Sequence, residues 1–434
     1  MYYPRTTTRS LYPYPTIAPS RLLHLHPSRF RKCAAPLSMR LQSSWPPYYF
    51  FNHTTFIQHV FIPLTMNAPA PLSRREVVKN LALGSAALLL APNALLSACR
   101  PRKERLGVAL VGLGYYSTDL LAPALQQTKH CYLAGIVTGT PSKAEAWKQQ
   151  YNLPDKNIYN YANFDSIANN PDIDVVYVVL PPSMHHEYVI RAAKAGKHVW
   201  CEKPMALTEK ECREMIDACR QAKRTLAIGY RLQHEPNTQE WRRIVADKSL
   251  GNVKALSCAA GYREGRTDHW KQKAEMGGGA LYDMGVYSIQ GARLGSGMEP
   301  IAVVTARMST TRPEVYKNGL DETTEATLEF PGGVLANIKT SFGESINHLH
   351  ITFDKGELRM SPYQSYAGVR GSSPLGSINH SYSVPFQQAK QMDDDALAIL
   401  QNKPLIVPGE EGLRDIRIVE AIRRAAVSGQ RMAL

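Results

Sequence analysis

The sequence predicts an α/β protein in two folded parts. A doubly wound parallel sheet comes first, followed by an α+β domain with a large open, mostly antiparallel sheet. Three observations carry this. From Leu106 to Tyr230, apolar segments rich in Val and Ile alternate with helix-like segments, the order that a parallel sheet with crossover helices requires. The first apolar segment, "LGVALVGLG", runs straight into a glycine-x-glycine turn. Beyond Arg231 the segments become strands joined by short turns, the habit of antiparallel pairing. At 434 residues the chain is also too long for a single core.

The elements follow in order. "RLGVALV" is a continuous apolar strand, "STDLLAPALQQTKH" a helix, "CYLAGIVTGT" a strand and "PSKAEAWKQQYN" a second helix. "NFDSIANN" supplies a short helix ahead of the β-branched strand "DVVYVVLPP". "SMHHEYVIRAAKAG" is a helix closed by Gly196, "KHVWCEKP" a strand, and "TEKECREMIDACRQAK" a helix before the strand "RTLAIGY". Residues 106–230 therefore read as a Rossmann-type domain with right-handed crossovers. In 231–434, "EPNTQEWRRIVADKSLG" is helical, "NVKALSCAAGYR" a strand, and "GGALYDMGVYSIQGARLG" a helix after a glycine run. "IAVVTARMST", "ETTEATLEF", "GVLANIKTSF", "HLHITFDKG" and "ELRMSP" are strands, with "EFPGGVLANI" a hairpin. "GVRGSSPLGS" reads as a low-complexity loop, and "PGEEGLRDIRIVEAIRRAAVSGQ" as a final amphipathic helix.

The formal charge of +14 invites a nucleic-acid partner until it is located along the chain. Residues 1–65 hold seven basic side chains and no acidic one, and residues 66–105 hold seven basic against Glu76 and Glu104. The folded remainder has 37 basic and 35 acidic side chains, too near neutrality for a nucleic-acid footprint. The first 65 residues, rich in Pro, Tyr, His and Arg without any period, read as an unstructured leader. Met66 opens what looks like a second start, so that residues 1–65 would stand before the translated protein. Residues 66–105 resemble a twin-arginine export signal: Arg74-Arg75, an uncharged run from Leu81 to Ala98, then a lipobox-like Leu96-Ser97-Ala98-Cys99. An exported, periplasmic protein or a lipoprotein tethered to a membrane through lipidated Cys99 is expected. An N-terminal membrane anchor is the alternative for the same run. The seven cysteines show neither CxxC pairs nor metal-like spacing, so scattered buried thiols are expected rather than a disulfide frame or a metal site.

Gly112-x-Gly114-x-x-Ser117 lies between a strand and a helix, where glycines let a pyrophosphate approach backbone N–H groups at the helix N-terminus. The next strand ends in "IVTGTPSK". A carboxylate expected to hold the ribose hydroxyls of NAD is missing there, and Thr138, Thr140, Ser142 and Lys143 stand in its place. A hydroxyl and a cation suit a 2′-phosphate, so NADP is expected over NAD.

The strand "KHVWCEKP" ends in Glu202, Lys203 and Pro204, on the side of the sheet where ligands bind. In "GGGALYDMGVY", Asp283 and Tyr287 are four residues apart and share one helix face. A tyrosine whose ordinary pKa is about 10 needs nearby positive charge to act as a base, and Lys203 with an oxidised nicotinamide would provide it. The constellation suits hydride transfer from a secondary or hemiacetal alcohol, with Lys203, Tyr287 and Asp283 as catalytic candidates.

Together "VGLGYYS", "HVWCEKPMA", "IGYR", "GGGALYDMGVY" and "KPLIVPGEEGLRDIRIVEAI" resemble the glucose–fructose oxidoreductase, inositol dehydrogenase and rhizopine catabolism (Gfo/Idh/MocA) family, nearest its glucose–fructose oxidoreductase branch. The match runs from Leu106 to the C-terminus. It implies an NADP-binding domain over 106–230 and, over 231–434, a substrate domain whose open sheet lines a sugar site and makes a homo-oligomer. It implies that Lys203 touches nicotinamide ribose and substrate, that Tyr287 is the acid/base, and that Asp283 orients the sugar. It adds Tyr115, Tyr116, Tyr161, Leu180, His185, Glu202, Arg231 and Trp270 as cofactor contacts, and Tyr230 and Arg231 as substrate contacts. It also suggests a cis Lys203–Pro204 bond. The chain departs from the branch in two places: only six residues separate Cys99 from Leu106, leaving no long proline-rich arm over the cofactor, and the loop around 361–380 differs. The expected activity is oxidation of an aldose at C1 or reduction of a keto sugar. A redox glycosidase using NAD transiently, and a non-catalytic sugar or nucleotide sensor, are the competing functions.

Overall fold

The computed structural model describes residues 103–434. The leader, the twin-arginine segment, Met66, Cys33 and Cys99 lie outside the described residues. Six parallel strands make the first sheet: β1 (Leu106–Val111), β2 (Cys131–Val137), β3 (Ile158–Tyr159), β4 (Val175–Val178), β5 (His198–Cys201) and β6 (Leu226–Ile228). Their order is β3-β2-β1-β4-β5-β6. β1 and β4 are buried at every position because both faces of a parallel sheet are covered, which is why the sequence shows runs rather than alternation. The order reverses between β1 and β4, leaving a crevice beyond their carboxyl ends.

The crossovers are α1 (Ala122–Leu125), α2 (Pro141–Tyr151), α3 (Pro182–Lys194) and α4 (Glu209–Gln221). Thr208 and Glu211 cap α4 reciprocally. The first helix is shorter than expected. It opens as a wide π turn over Tyr116–Leu121 and stops at Leu125, whose carbonyl accepts the Thr128 hydroxyl at 2.9 Å.

The second sheet holds β7 (Val253–Gly261), β8 (Ala302–Ser309), β9 (Thr323–Phe330), β10 (Val334–Ser341), β11 (Ile346–Phe353), β12 (Gly356–Met360), β13 (Gly371–Ser373), β14 (Gly376–Ile378) and β15 (Met432–Ala433). The order is β14-β13-β12-β11-β7-β10-β9-β8-β15, antiparallel except where β7 meets β10. The "PGG" turn joins β9 to β10 as a hairpin, with Phe330 opposite Val334. "GVRGSSPLGS" is not a loop: it forms the edge hairpin β13–β14.

Four α-helices follow β6 among the described residues. α5 (Pro236–Ala246) follows a 3-10 turn at Arg231–His234, and α6 (Val286–Ser296) continues a second π turn at Leu281–Gly285. α7 (Phe386–Gln401), which the sequence reading left out, returns to the first sheet. Its Ala389, Met392 and Ala396 pack with Leu110, Leu125, Tyr177 and Trp200. α8 (Gly409–Ser428) is the expected final helix and packs on α4 and β8. The five described cysteines are free and buried. Among the described residues no helix is long and apolar enough to cross a membrane.

Candidate active site

β1 delivers its glycines to the crevice. Gly112 sits at φ +93°, and a Cβ there would lie 2.5 Å from the Val179 carbonyl oxygen, so only glycine allows this close approach of β1 to β4. Gly114 has the opposite surroundings: nothing lies within 4 Å of where its Cβ would point. Ser117 is buried and donates its hydroxyl to the Gly112 carbonyl at 2.6 Å, fastening the turn. The first helical bond runs from Thr118 N–H to the Gly114 carbonyl, so the amides before it have no place in the helix ladder. Lys143 reaches back from α2 and donates to the Leu113 carbonyl at 2.9 Å, bringing a cation to the same loop. Tyr115 stands 65% exposed at its rim.

The end of β2 carries Thr138, whose Oγ1 accepts from the Thr140 amide at 3.2 Å. Thr138, Gly139 and Tyr161 line one wall of a cavity of about 590 Å³. Glu145 shares that wall but accepts from Gln149 at 2.7 Å. An open, Cβ-free loop at a helix N-terminus fits the pyrophosphate of a nicotinamide dinucleotide.

β5 ends at the reacting side of the crevice. The Lys203–Pro204 bond is cis. Glu202 is buried, and Tyr177 donates to its Oε1 at 2.7 Å, while Gln391 of α7 donates to the Tyr177 hydroxyl at 3.1 Å. Burial pushes the Glu202 carboxyl up to about 7, against the pull of Tyr177 and Lys203. Lys203 turns toward the second domain and donates to the Asp283 carbonyl at 2.9 Å and to its Oδ1 at 3.1 Å. Burial alone would weaken the Lys203 ammonium, but Asp283, Tyr287 and Glu202 hold it above its ordinary range. Asp283 is the counterpart. Burial would raise its carboxyl, yet Lys203 and Lys271 hold it well below the usual carboxylate range.

Tyr287 completes the cluster. The Lys203 Nζ lies 4.9 Å from its ring centroid and the Arg231 guanidinium 5.5 Å, so the ring is flanked by two cations. Arg231 is buried after β6 and donates to the Gln364 carbonyl at 2.7 Å, the Ser365 carbonyl at 3.2 Å and the Gln387 side chain of α7. It also lies 4.5 Å from the ring of Tyr366, which stands 6.3 Å from that of Tyr116. The structure thus gathers Lys203, Asp283, Tyr287, Arg231, Glu202 and Tyr116 in one place. Among the described residues no cluster of His, Cys, Asp and Glu could hold a metal.

Tyr230 is fully buried, with Asp415 and Arg293 as its charged neighbours. His185 Nε2 faces the Leu180 carbonyl at 2.8 Å and Nδ1 the Pro204 carbonyl at 2.9 Å. It braces the Glu-Lys-Pro loop against the β4 end. Trp270 is half-buried on a 3-10 turn, 5.5 Å from the ammonium of the next residue, Lys271. Lys271 itself, Tyr177, Tyr366 and the α7 glutamines are site residues that sequence reasoning missed. Lys271 lies in irregular chain with no period to mark it, and α7 joins the site from over 150 residues beyond Lys203.

Residues 106–230 match the model described as the oxidoreductase family, NAD-binding Rossmann fold, and residues 238–359 match the GFO/IDH/MocA C-terminal domain. The chain is 38% identical to aldose-aldose oxidoreductase from Caulobacter crescentus, solved in complex with glycerol, with a TM-score of 0.72, covering 76% of this chain and all of that one. It is 26% identical to the D-xylose 1-dehydrogenase [NADP(+)] of Haloarcula marismortui, covering 73% of this chain and 90% of the other. A levoglucosan dehydrogenase solved with NADH and levoglucosan shares the fold, at 19% identity and a TM-score of 0.66 over 76% of this chain and 99% of that one.

Proposed function

Because the chain belongs to the Gfo/Idh/MocA family of nicotinamide-dependent sugar oxidoreductases, we propose that it is an NADP-dependent enzyme oxidising an aldose at C1, or reducing a keto sugar in reverse. The observation that carries the reading is the ammonium of Lys203, hydrogen-bonded to Asp283 and 4.9 Å from the Tyr287 ring. Bound along the Gly112–Ser117 turn, a nicotinamide dinucleotide supplies the hydride acceptor at this point. Lys203 donates to the oxygen of the reacting hydroxyl, and Tyr287, acting as the phenolate, takes the hydroxyl proton and becomes neutral as the carbon becomes a carbonyl. Lys203 and Arg231 flank the ring and favour the negative charge that Tyr287 carries before it takes the proton. Asp283 keeps Lys203 aimed and ionised.

The preference for NADP is supported by Thr138 and Lys143, and by an aspartate or glutamate being replaced by Thr138-Gly139-Thr140 at the end of β2. Export, by the twin-arginine and lipobox-like stretch, and a homo-oligomer through the open sheet complete the proposal. Leu335 and Asn337 on β10 and Glu325 on β9 lie exposed on the face a second copy would cover. The test is NADP reduction by a panel of aldoses. At least one aldose should be turned over, and Tyr287→Phe should lose that turnover. A variant that keeps it sinks the assignment of the base.

A further inference from the structure

Lys271 lies across Asp283 from Lys203. Its Nζ is 2.5 Å from Asp283 Oδ2 and donates to the Tyr262 hydroxyl at 2.8 Å. Tyr262 gives its own hydrogen to Glu264 Oε2 at 3.0 Å, so its oxygen accepts from Lys271. An ammonium has three N–H donors. Lys271 has two engaged here, and Lys203 has two engaged by the carbonyl and Oδ1 of Asp283. Each lysine keeps one donor.

The surroundings restrict where the spare donor of Lys271 can go. Its Nζ lies 5.1 Å from the ring of Tyr262, 5.5 Å from Trp270 and 5.7 Å from Phe342, and the side chain is only 17% exposed. Three rings and a carboxylate close most directions. One carboxylate also bridges both ammoniums, which fixes their separation. Two donors on either side of one carboxylate match two hydroxyl oxygens on neighbouring carbons of a sugar.

We propose that Lys271 is a substrate-positioning residue whose remaining N–H donates to the hydroxyl on the carbon next to the one oxidised, making that hydroxyl a requirement for the substrate. This rests on the functional reading above, in which Lys203 holds the reacting oxygen. For oxidation at C1, the neighbouring group is the 2-hydroxyl.

The experiment compares kcat/KM for D-glucose and 2-deoxy-D-glucose in the wild-type protein, Lys271→Met and Lys271→Arg, with NADP saturating. A charged donor that loses its partner costs enough to give a preference of roughly 10- to 100-fold for D-glucose in the wild type. Lys271→Met should bring the ratio close to one, chiefly through a higher KM for D-glucose. Lys271→Arg, which keeps a cation and donors, should retain most of it. A merely structural lysine would lower both sugars together and leave the ratio in place, and that outcome overturns the inference alone. If D-glucose is not a substrate, the comparison uses an aldose that is oxidised and its 2-deoxy form; wild-type protein that oxidises no aldose overturns the functional reading and this inference with it.

Discussion

Glu202→Gln isolates the electrostatic cost built into the cofactor crevice. The Glu202 carboxyl is buried, and burial pushes it up to about 7 from its ordinary 4.5. Burial is the main cause, and Tyr177 and Lys203 offset only part of it. The folded state therefore holds the Glu202 proton more tightly than the unfolded chain does. Between the two values the fold binds the extra proton, so this group's contribution to stability falls as pH rises through that window. Below both values the penalty is absent, and above both it is fully present. The shift converts to about 3 kcal/mol in all, of which roughly 2 to 3 kcal/mol develops between about pH 5 and about pH 8. Glutamine keeps the Tyr177 contact, carries no charge and removes this dependence. Urea unfolding of both proteins at the two pH values should show the variant gaining on the wild type by that amount at the higher pH. Equal pH slopes for the two proteins would refute the assignment of a buried, proton-retaining Glu202.

Two further perturbations address the rest of the site. Asp283→Asn leaves two partly buried ammoniums without their shared carboxylate and should lower stability by about 2–4 kcal/mol, read as a urea midpoint shift, together with a fall in kcat. Lys143→Ala removes the cation at the glycine loop and should raise KM for NADP roughly 10- to 100-fold while leaving KM for NAD nearly unchanged. An equal effect on both cofactors would place Lys143 away from the 2′-phosphate.

Much of the first domain was legible because its physics is local. Parallel strands buried on both faces show as unbroken apolar runs, as in "LGVALV", and Gly112 marks the turn where β1 meets β4. The cluster of Lys203, Asp283 and Tyr287 was legible from charged residues set at a strand end and on a helix after a glycine run. The local path differs from the one expected, since Asp283 lies in a π turn rather than an α-helix. What escaped depends on contacts distant in sequence. α7 alternates short polar and apolar residues because its buried face holds Gln387, Gln391 and Asp395, so it lacks the apolar stripe of an ordinary amphipathic helix. The burial of Tyr230 beside Asp415, and the use of His185 as a brace, are set by packing that no local pattern encodes. Lys271 is found only once β7, the 3-10 turn and the π turn have been brought together around Asp283.

The most direct test of the central claim follows the hydrogen itself. Incubation of the protein with NADP and an aldose carrying deuterium at C1, followed by mass spectrometry of the reduced cofactor, reports whether hydride leaves the carbon held by Lys203 and Tyr287. Transfer of the deuterium intact to the nicotinamide, abolished in Tyr287→Phe, is the result expected. Reduced cofactor without the label, or no reduction with any aldose, would contradict it.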